Sequence, residues 1–190
     1  MRIVHISDTH GRHREIEGLP EGDVIVHSGD FTNMGTEEEV LDFLNWMVEL
    51  PHRHKIFVPG NHDFCLLDAE GVEELPEGLH FLSHHEVEIE GVKFFGLGYM
   101  QDPRRIPEGV GVLITHEPPA GVLSTEEGIG EYGSEEIREA VWRLRPRVHL
   151  FGHCHSGYGL EEHNGIIFSN GAMTGSRCEK IENEGRVIEV

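Results

Sequence analysis

Cations, cysteines and long apolar runs are all scarce in this sequence, and each shortage closes off a class of function. Lys and Arg number 15 against 35 Asp and Glu, a formal net charge of -20 at pH 7. Such an acidic surface repels polyanions, so long nucleic acids are not expected partners. Cys65, Cys154 and Cys178 are odd in number, unevenly spaced and form no CxxC, which excludes a disulfide framework or a thiolate zinc knuckle and leaves reduced thiols. No apolar run approaches the roughly 20 residues that cross a bilayer, so no membrane partner is expected. Met1 leads directly into the strand-like RIVHIS with no charged leader or small-residue cleavage site, and the expected location is cytoplasmic. Linkers, repeats and low-complexity segments are missing too, so residues 1–190 read as a single domain.

Histidine, by contrast, is abundant. Fifteen of them exceed the needs of an ordinary domain, and neutral imidazole is a common ligand for transition metals.

Short runs rich in Val, Ile and Phe recur between turn clusters. IVHIS, DVIVHS, KIFVP, KFFGLG, GVLIT and RVHLF are each strand-sized. Between them, TEEEVLDFLNWMVEL predicts a helix: Thr36 caps it, Glu39 completes a capping box, and Pro51 stops it. Its apolar stripe is Val40, Leu41, Phe43, Leu44, Met47 and Val48. A second helix is expected from Ser134 to Leu144, with Ile137, Ala140, Val141 and Leu144 on one face and Pro146 ending it. Glu86 to Glu90 alternates charged and apolar residues, turns at Gly91 and resumes as VKFFGLG, the pattern of an antiparallel hairpin. IIFSN and RVIEV add strands near the C-terminus. The fold class expected is α/β: two packed mixed β-sheets flanked by helices, a four-layer α/β/β/α sandwich.

Five apolar runs each end in a potential metal ligand: Asp8 after IVHIS, Asp30 after VIVHSG, Asn61 after FVPG, His116 after VLIT and His153 after VHLFG. Groups just beyond the carboxyl ends of parallel strands share one crevice, so residues far apart in sequence can converge there. Asp8 and His10 are two apart, as are His153 and His155, and in a short loop such pairs can face a common pocket. Oxygen and imidazole donors without thiolates suit Mn, Fe, Co, Ni or Zn. Two ions fit if one carboxylate bridges them and screens their repulsion. Asp30 is the expected bridge, with Asp8, His10 and His155 on one ion and Asn61, His116 and His153 on the other.

These residues resemble the calcineurin-like metallophosphoesterase family, whose blocks D-x-H, G-D, G-N-H-[DE], H and G-H-x-H occur here in order. They are Asp8-Thr9-His10, Gly29-Asp30, Gly60-Asn61-His62-Asp63, His116 and Gly152-His153-Cys154-His155. SDTHGR, GDFTNMG, THEPPAG and FGHCHSGYG look more particularly like the small metallophosphoesterase-domain-containing (Mpped) branch. Some members of that branch lack the first histidine of the last block, but His153 is present here. The resemblance implies in-line attack on phosphorus by a hydroxide bridging the ions. It casts His62 as the group that protonates the departing alkoxide and Asp63 as the residue that orients its imidazole; Asn61 and Asn33 are the expected substrate contacts. In phosphoprotein phosphatases of the superfamily an aspartate and an arginine stand where this chain has Asn33 and Met34, which argues against a protein substrate.

Other polar residues have plainer expectations. His5, His27 and His149 lie inside apolar strands and are expected to be hydrogen-bonded in the core, Cys154 to be a buried thiol, and His52, His54, His84, His85 and His163 to lie at the surface or in turns. Tyr132 and Tyr158 either pack or line a pocket. Arg12, Arg104 and Arg105 either meet a phosphate or offset the acidic surface. The function expected is a metal-dependent phosphoester hydrolase, a phosphodiesterase acting on small nucleotide-like molecules, with Mn as the first choice of ion. A protein-binding scaffold of the same fold is the alternative, and a nuclease the third reading.

Overall fold

The computed structural model describes residues 1–190 apart from 68, 70 and 73. In chain order the strands are β1 (Arg2–Ile6), β2 (Val24–His27), β3 (His54–Phe57), β4 (Leu79–Phe81), β5 (His85–Ile89), β6 (Val92–Leu97) and β7 (Val112–Thr115). They continue as β8 (Thr125–Glu126), β9 (Gly130–Glu131), β10 (Val148–Phe151), β11 (Gly159–His163), β12 (Ile166–Asn170) and β13 (Arg186–Glu189). The helices are α1 (Glu37–Glu49) and α2 (Glu135–Leu144). One large sheet runs β13-β1-β2-β3-β4 and the other β11-β12-β10-β7-β6-β5, while β8 and β9 pair with each other as a small ribbon. Within each large sheet, the inner strands are parallel. β13, β11 and β5 close the edges antiparallel.

The two-residue period of a strand sorts side chains into layers. Ile3, Val24, Val26 and Ile56 of the first sheet meet Phe94, Val112, Ile114, Val148 and Leu150 of the second in one buried cluster. Their neighbours Val4, Ile6, Ile25 and Phe57 face the other way and pack beneath α1, on Val40, Phe43, Trp46 and Met47. Phe95, Leu97, Leu113 and Phe151 pack beneath α2, on Ile137, Ala140 and Val141. The result is the four-layer α/β/β/α sandwich.

Two expectations need correction, and one strand has no signal in the sequence. Leu41 and Val48 do not belong to the buried stripe of α1; they are 59% and 47% exposed, while Trp46 is buried. At roughly 100° per residue, positions 40, 43, 46 and 47 share a face and 41 and 48 fall on the far flank. His52 is not a surface residue: it is 3% exposed, and its Nε2 donates to the Pro20 carbonyl. β4 carries too few residues to show a pattern, and it forms because β3 offers it a parallel edge.

The capping box is present. Thr36 Oγ1 accepts the Glu39 N–H at 3.3 Å, and the Glu39 carboxylate accepts the N–H of Thr36. The same carboxylate accepts the N–H groups of Asn33 and Met34, so the cap also shapes the loop leading from β2 into α1.

Candidate metal centre

The loops after β1, β2 and β3 meet those after β7, β10 and β12 at the shared carboxyl edge of the two sheets. Asp30 lies between two groups of side chains. Its Oδ2 is 3.9 Å from His10 Nε2, and its Oδ1 is 3.5 Å from His116 Nε2. On the first side His155 Nε2 lies 3.4 Å from His10 Nε2 and 3.6 Å from Asp8 Oδ1. On the second, His116 Nε2 lies 2.8 Å from Asn61 Oδ1 and 3.2 Å from His153 Nδ1. The structure thus brings together Asp8, His10, Asp30, Asn61, His116, His153 and His155.

The backbone bends sharply to achieve this. Asp8, His10, Asp30 and His153 have φ values of 52°, 45°, 56° and 67°, a left-handed region that non-glycine residues enter at a cost of about 1–3 kcal/mol each. The turns also demand close approach. A Cβ on Gly60 would strike the Asp30 carboxylate, and one on Gly152 would strike Asp8 and Ser7.

A model of the calcineurin-like phosphoesterase family matches residues 1–157, a span that contains every one of these side chains. The chain belongs to the calcineurin-like phosphoesterase family. It is 31% identical to the UPF0046 protein K07C11.7 of Caenorhabditis elegans, over 91% of this chain and 70% of that protein. It is 32% identical to Metallophosphoesterase domain-containing protein 1 of Homo sapiens, over 90% of this chain and 66% of that protein. Among solved structures, the phosphopantetheinyl hydrolase PptH of Mycobacterium tuberculosis superposes with a TM-score of 0.61 at 14% identity, covering 98% and 95% of the two chains. The protein TT1561 of Thermus thermophilus gives 0.58 at 16% identity, covering 89% and 88%. Both show the fold. Calcineurin-like phosphoesterases are metal-dependent hydrolases of phosphoesters, and these side chains must then suit a cation.

They do. His116 Nδ1 donates to the Ser28 carbonyl at 2.9 Å and His155 Nδ1 to the Gly175 carbonyl at 3.0 Å, which fixes both protons and leaves Nε2 free to coordinate. Two acceptor nitrogens 3.2 Å apart, as in His116 and His153, repel unless a proton or cation stands between them. The electrostatics agree. Burial disfavours the charged form of His116, yet Asp30, Asp8 and the Ser28 carbonyl carry it up to about 10. Burial likewise opposes charge on His155, but Cys178 and Asp8 raise it to about 9. Asp30 is held well below the usual carboxylate range; burial works against this, and His116 and His10 overcome it. His153 falls to about 4 through burial and the His116 charge. The carboxylates demand positive charge from whatever lies between them.

Asp63 is a correction. It does not reach the His62 imidazole, because its oxygens are taken by the N–H groups of Asp30, Thr32 and Gly60 at 2.8–2.9 Å and by the Thr32 hydroxyl at 2.8 Å. Burial and the Asp30 charge raise it to about 7. It ties the loop after β2 to the loop after β3. The imidazole of His62 is oriented instead by its Nδ1 donating to the Asn33 carbonyl at 2.9 Å. Asn33 therefore acts here through its backbone, and its side chain is exposed.

The core histidines are hydrogen-bonded as expected. His5 bridges Ser28 and Ser169, His27 meets Thr9, and His149 meets Thr115. Cys154 is fully buried and donates to the Ser124 carbonyl. Tyr132 stands at the mouth of a cleft of about 390 Å³ over the centre, its ring 5.1 Å from that of His153. Tyr158 packs: its hydroxyl donates to the Glu184 carbonyl and Arg186 lies over its ring. Arg104 is engaged by Asp102 and Arg105 by His84, whereas Arg12 donates to the Cys178 carbonyl.

Sequence reasoning misses Tyr99, whose ring is 5.7 Å from that of His153, Ile129 in the cleft wall, and Cys178, which joins His10 and His155. The one available signal for Cys178 is IIFSN. As a further parallel strand, β12 sends the following loop to the same edge.

Proposed function

We propose that the chain hydrolyses phosphodiesters of small nucleotide-like molecules, using two divalent cations held on either side of Asp30. The observation that carries this is the position of Asp30, with one oxygen toward His116 and the other toward His10. Asp8, His10 and His155 would hold one ion, and Asn61, His116 and His153 the other. Mn is the first choice, with Fe, Co, Ni or Zn compatible with the same nitrogen and oxygen donors. Bound there, the ions would polarise phosphoryl oxygens and lower the pKa of water.

The chain's own residues supply the remainder. With its Nδ1 proton committed to the Asn33 carbonyl, His62 presents Nε2 as the nitrogen that protonates a departing alkoxide. Asn61, shared between ion and substrate, contacts the phosphoester, and the exposed side chain of Asn33, next to the carbonyl that holds His62, is the second substrate contact of this reading. Tyr132 and Ile129 offer an apolar wall to a planar leaving group, which supports a nucleotide-like substrate. Residues 1–190 are taken as one working domain in the cytoplasm, and among the described residues no helix is long and apolar enough to cross a membrane.

Metal-stripped protein is expected to regain hydrolysis of an aryl phosphodiester on addition of Mn or Ni. His62→Ala should lose about 10²- to 10⁴-fold in rate while retaining its metal. Metal binding without any hydrolysis would instead leave the protein-binding scaffold as the function.

A further inference from the structure

We propose that Cys178 is a thiolate ligand for the cation held by His10 and His155, so that one ion position is coordinated by sulfur, nitrogen and oxygen and the other by nitrogen and oxygen only. This rests on the cation-centre reading above and sharpens it.

One donor atom from each of His10, His155 and Cys178 lies within 4.8 Å of the others. Cys178 Sγ is 4.0 Å from the His155 ring at Nδ1, the nitrogen that donates to the Gly175 carbonyl, so the ion would be taken by Nε2 of the same ring. His10 is 5% exposed and faces the same position through Nε2, 3.4 Å from His155 Nε2. The thiol is not on a loose loop. Its own N–H donates to the Gly175 carbonyl at 2.8 Å, and its carbonyl accepts the Arg12 guanidinium at 2.9 Å. Its φ is 53°, a strained value for a residue with a side chain and one that surrounding contacts must hold in place.

The segment that carries Cys178 also orders the other ligands. Gly175 accepts from His155 Nδ1, and the Thr174 hydroxyl donates to the Asp8 carbonyl at 2.8 Å. Loop 174–178 therefore fixes His155, steadies Asp8 and brings a sulfur beside them. The other two thiols lack this setting: Cys154 is buried against the Ser124 carbonyl, and Cys65 is exposed.

Coordination would exchange the S–H bond for a sulfur–metal bond and release the proton to solvent, with no change of oxidation state. A soft thiolate favours Zn or Co over Mn. The two positions would then differ in metal preference although Asp30 is common to both.

The test is cobalt substitution of the full chain. Wild type is expected to show visible d–d bands together with a near-ultraviolet sulfur-to-cobalt charge-transfer band. Cys178→Ser should lose the charge-transfer band, keep the d–d bands and bind Zn at least about tenfold more weakly, the scale of losing even an outer partner of a metal ligand. Cys154→Ser should keep both features. Alkylation gives a check that needs no variant: Zn should slow labelling of Cys178 and leave that of exposed Cys65 unchanged. Identical near-ultraviolet spectra in wild type and Cys178→Ser, with d–d bands in both, would overturn the proposal and reduce Cys178 to a hydrogen-bond partner of His155. No d–d bands even in wild type would remove the cation centre itself, and this inference with it.

Discussion

Asp63 is fully buried, and its two oxygens accept from three backbone N–H groups and a hydroxyl. Asp63→Asn keeps the shape but turns an amide NH₂ toward donors. It should lower stability by about 1–3 kcal/mol, read from urea unfolding, with metal affinity falling as Asp30 loses its anchor. The buried histidines carry a different burden. Burial drives His5 and His149 down to about 3, so between about pH 6.5 and 3 the unfolded chain binds protons that the folded chain refuses. Stability must therefore fall as pH drops through that window, by up to about 1.4 kcal/mol per pH unit for each such residue. His149→Gln, which can still meet Thr115, should flatten the pH dependence of the melting temperature on the acid side. An unchanged slope would mean that His149 is not neutral in the fold. Asp8, Asp30, Asn61, His116 and His153 are legible as site candidates in the sequence because each follows a local strand signal. Asp63 is legible as a member of the G-N-H-D block but its partners are not, and Cys178 is not legible as a site candidate, because such contacts are chosen only when loops from different strands close on one another.

The stretch from Asp30 through α1 behaves as one element. Glu39 caps the helix and also holds the N–H groups of Asn33 and Met34, and the Asn33 carbonyl holds His62. Glu39→Ala should cost about 1 kcal/mol as a cap yet slow hydrolysis by up to about a hundredfold through misplacement of His62, with metal content unchanged. A rate loss no larger than that of an exposed substitution elsewhere on α1, such as Leu41→Ala, would break this chain of contacts. The capping box is readable from spacing alone because its partners are three residues apart. The helix face is misread at Leu41, Trp46 and Val48 because hydrophobicity does not reveal which way the helix rolls. That is decided by Phe31 and Phe57 beneath it.

At the scale of the whole molecule, two sheets back to back place the carboxyl ends of their parallel strands on one rim, where the acidic chain sets the imidazoles of His10, His62, His116, His153 and His155. The strand runs, both helices and the β5–β6 hairpin are visible in the pattern of apolar residues, and so is the layered α/β class. Strand order is not, since parallel neighbours are chosen by right-handed crossovers and packing: β13, last in sequence, pairs with β1. The central claim is that Asp30 is shared by two cations. Anomalous diffraction from crystals grown with Mn tests it most directly. Two peaks are expected, one among Asp8, His10 and His155 and one among Asn61, His116 and His153, with Asp30 in contact with both. A single peak, or peaks that leave Asp30 without contact, would contradict the account.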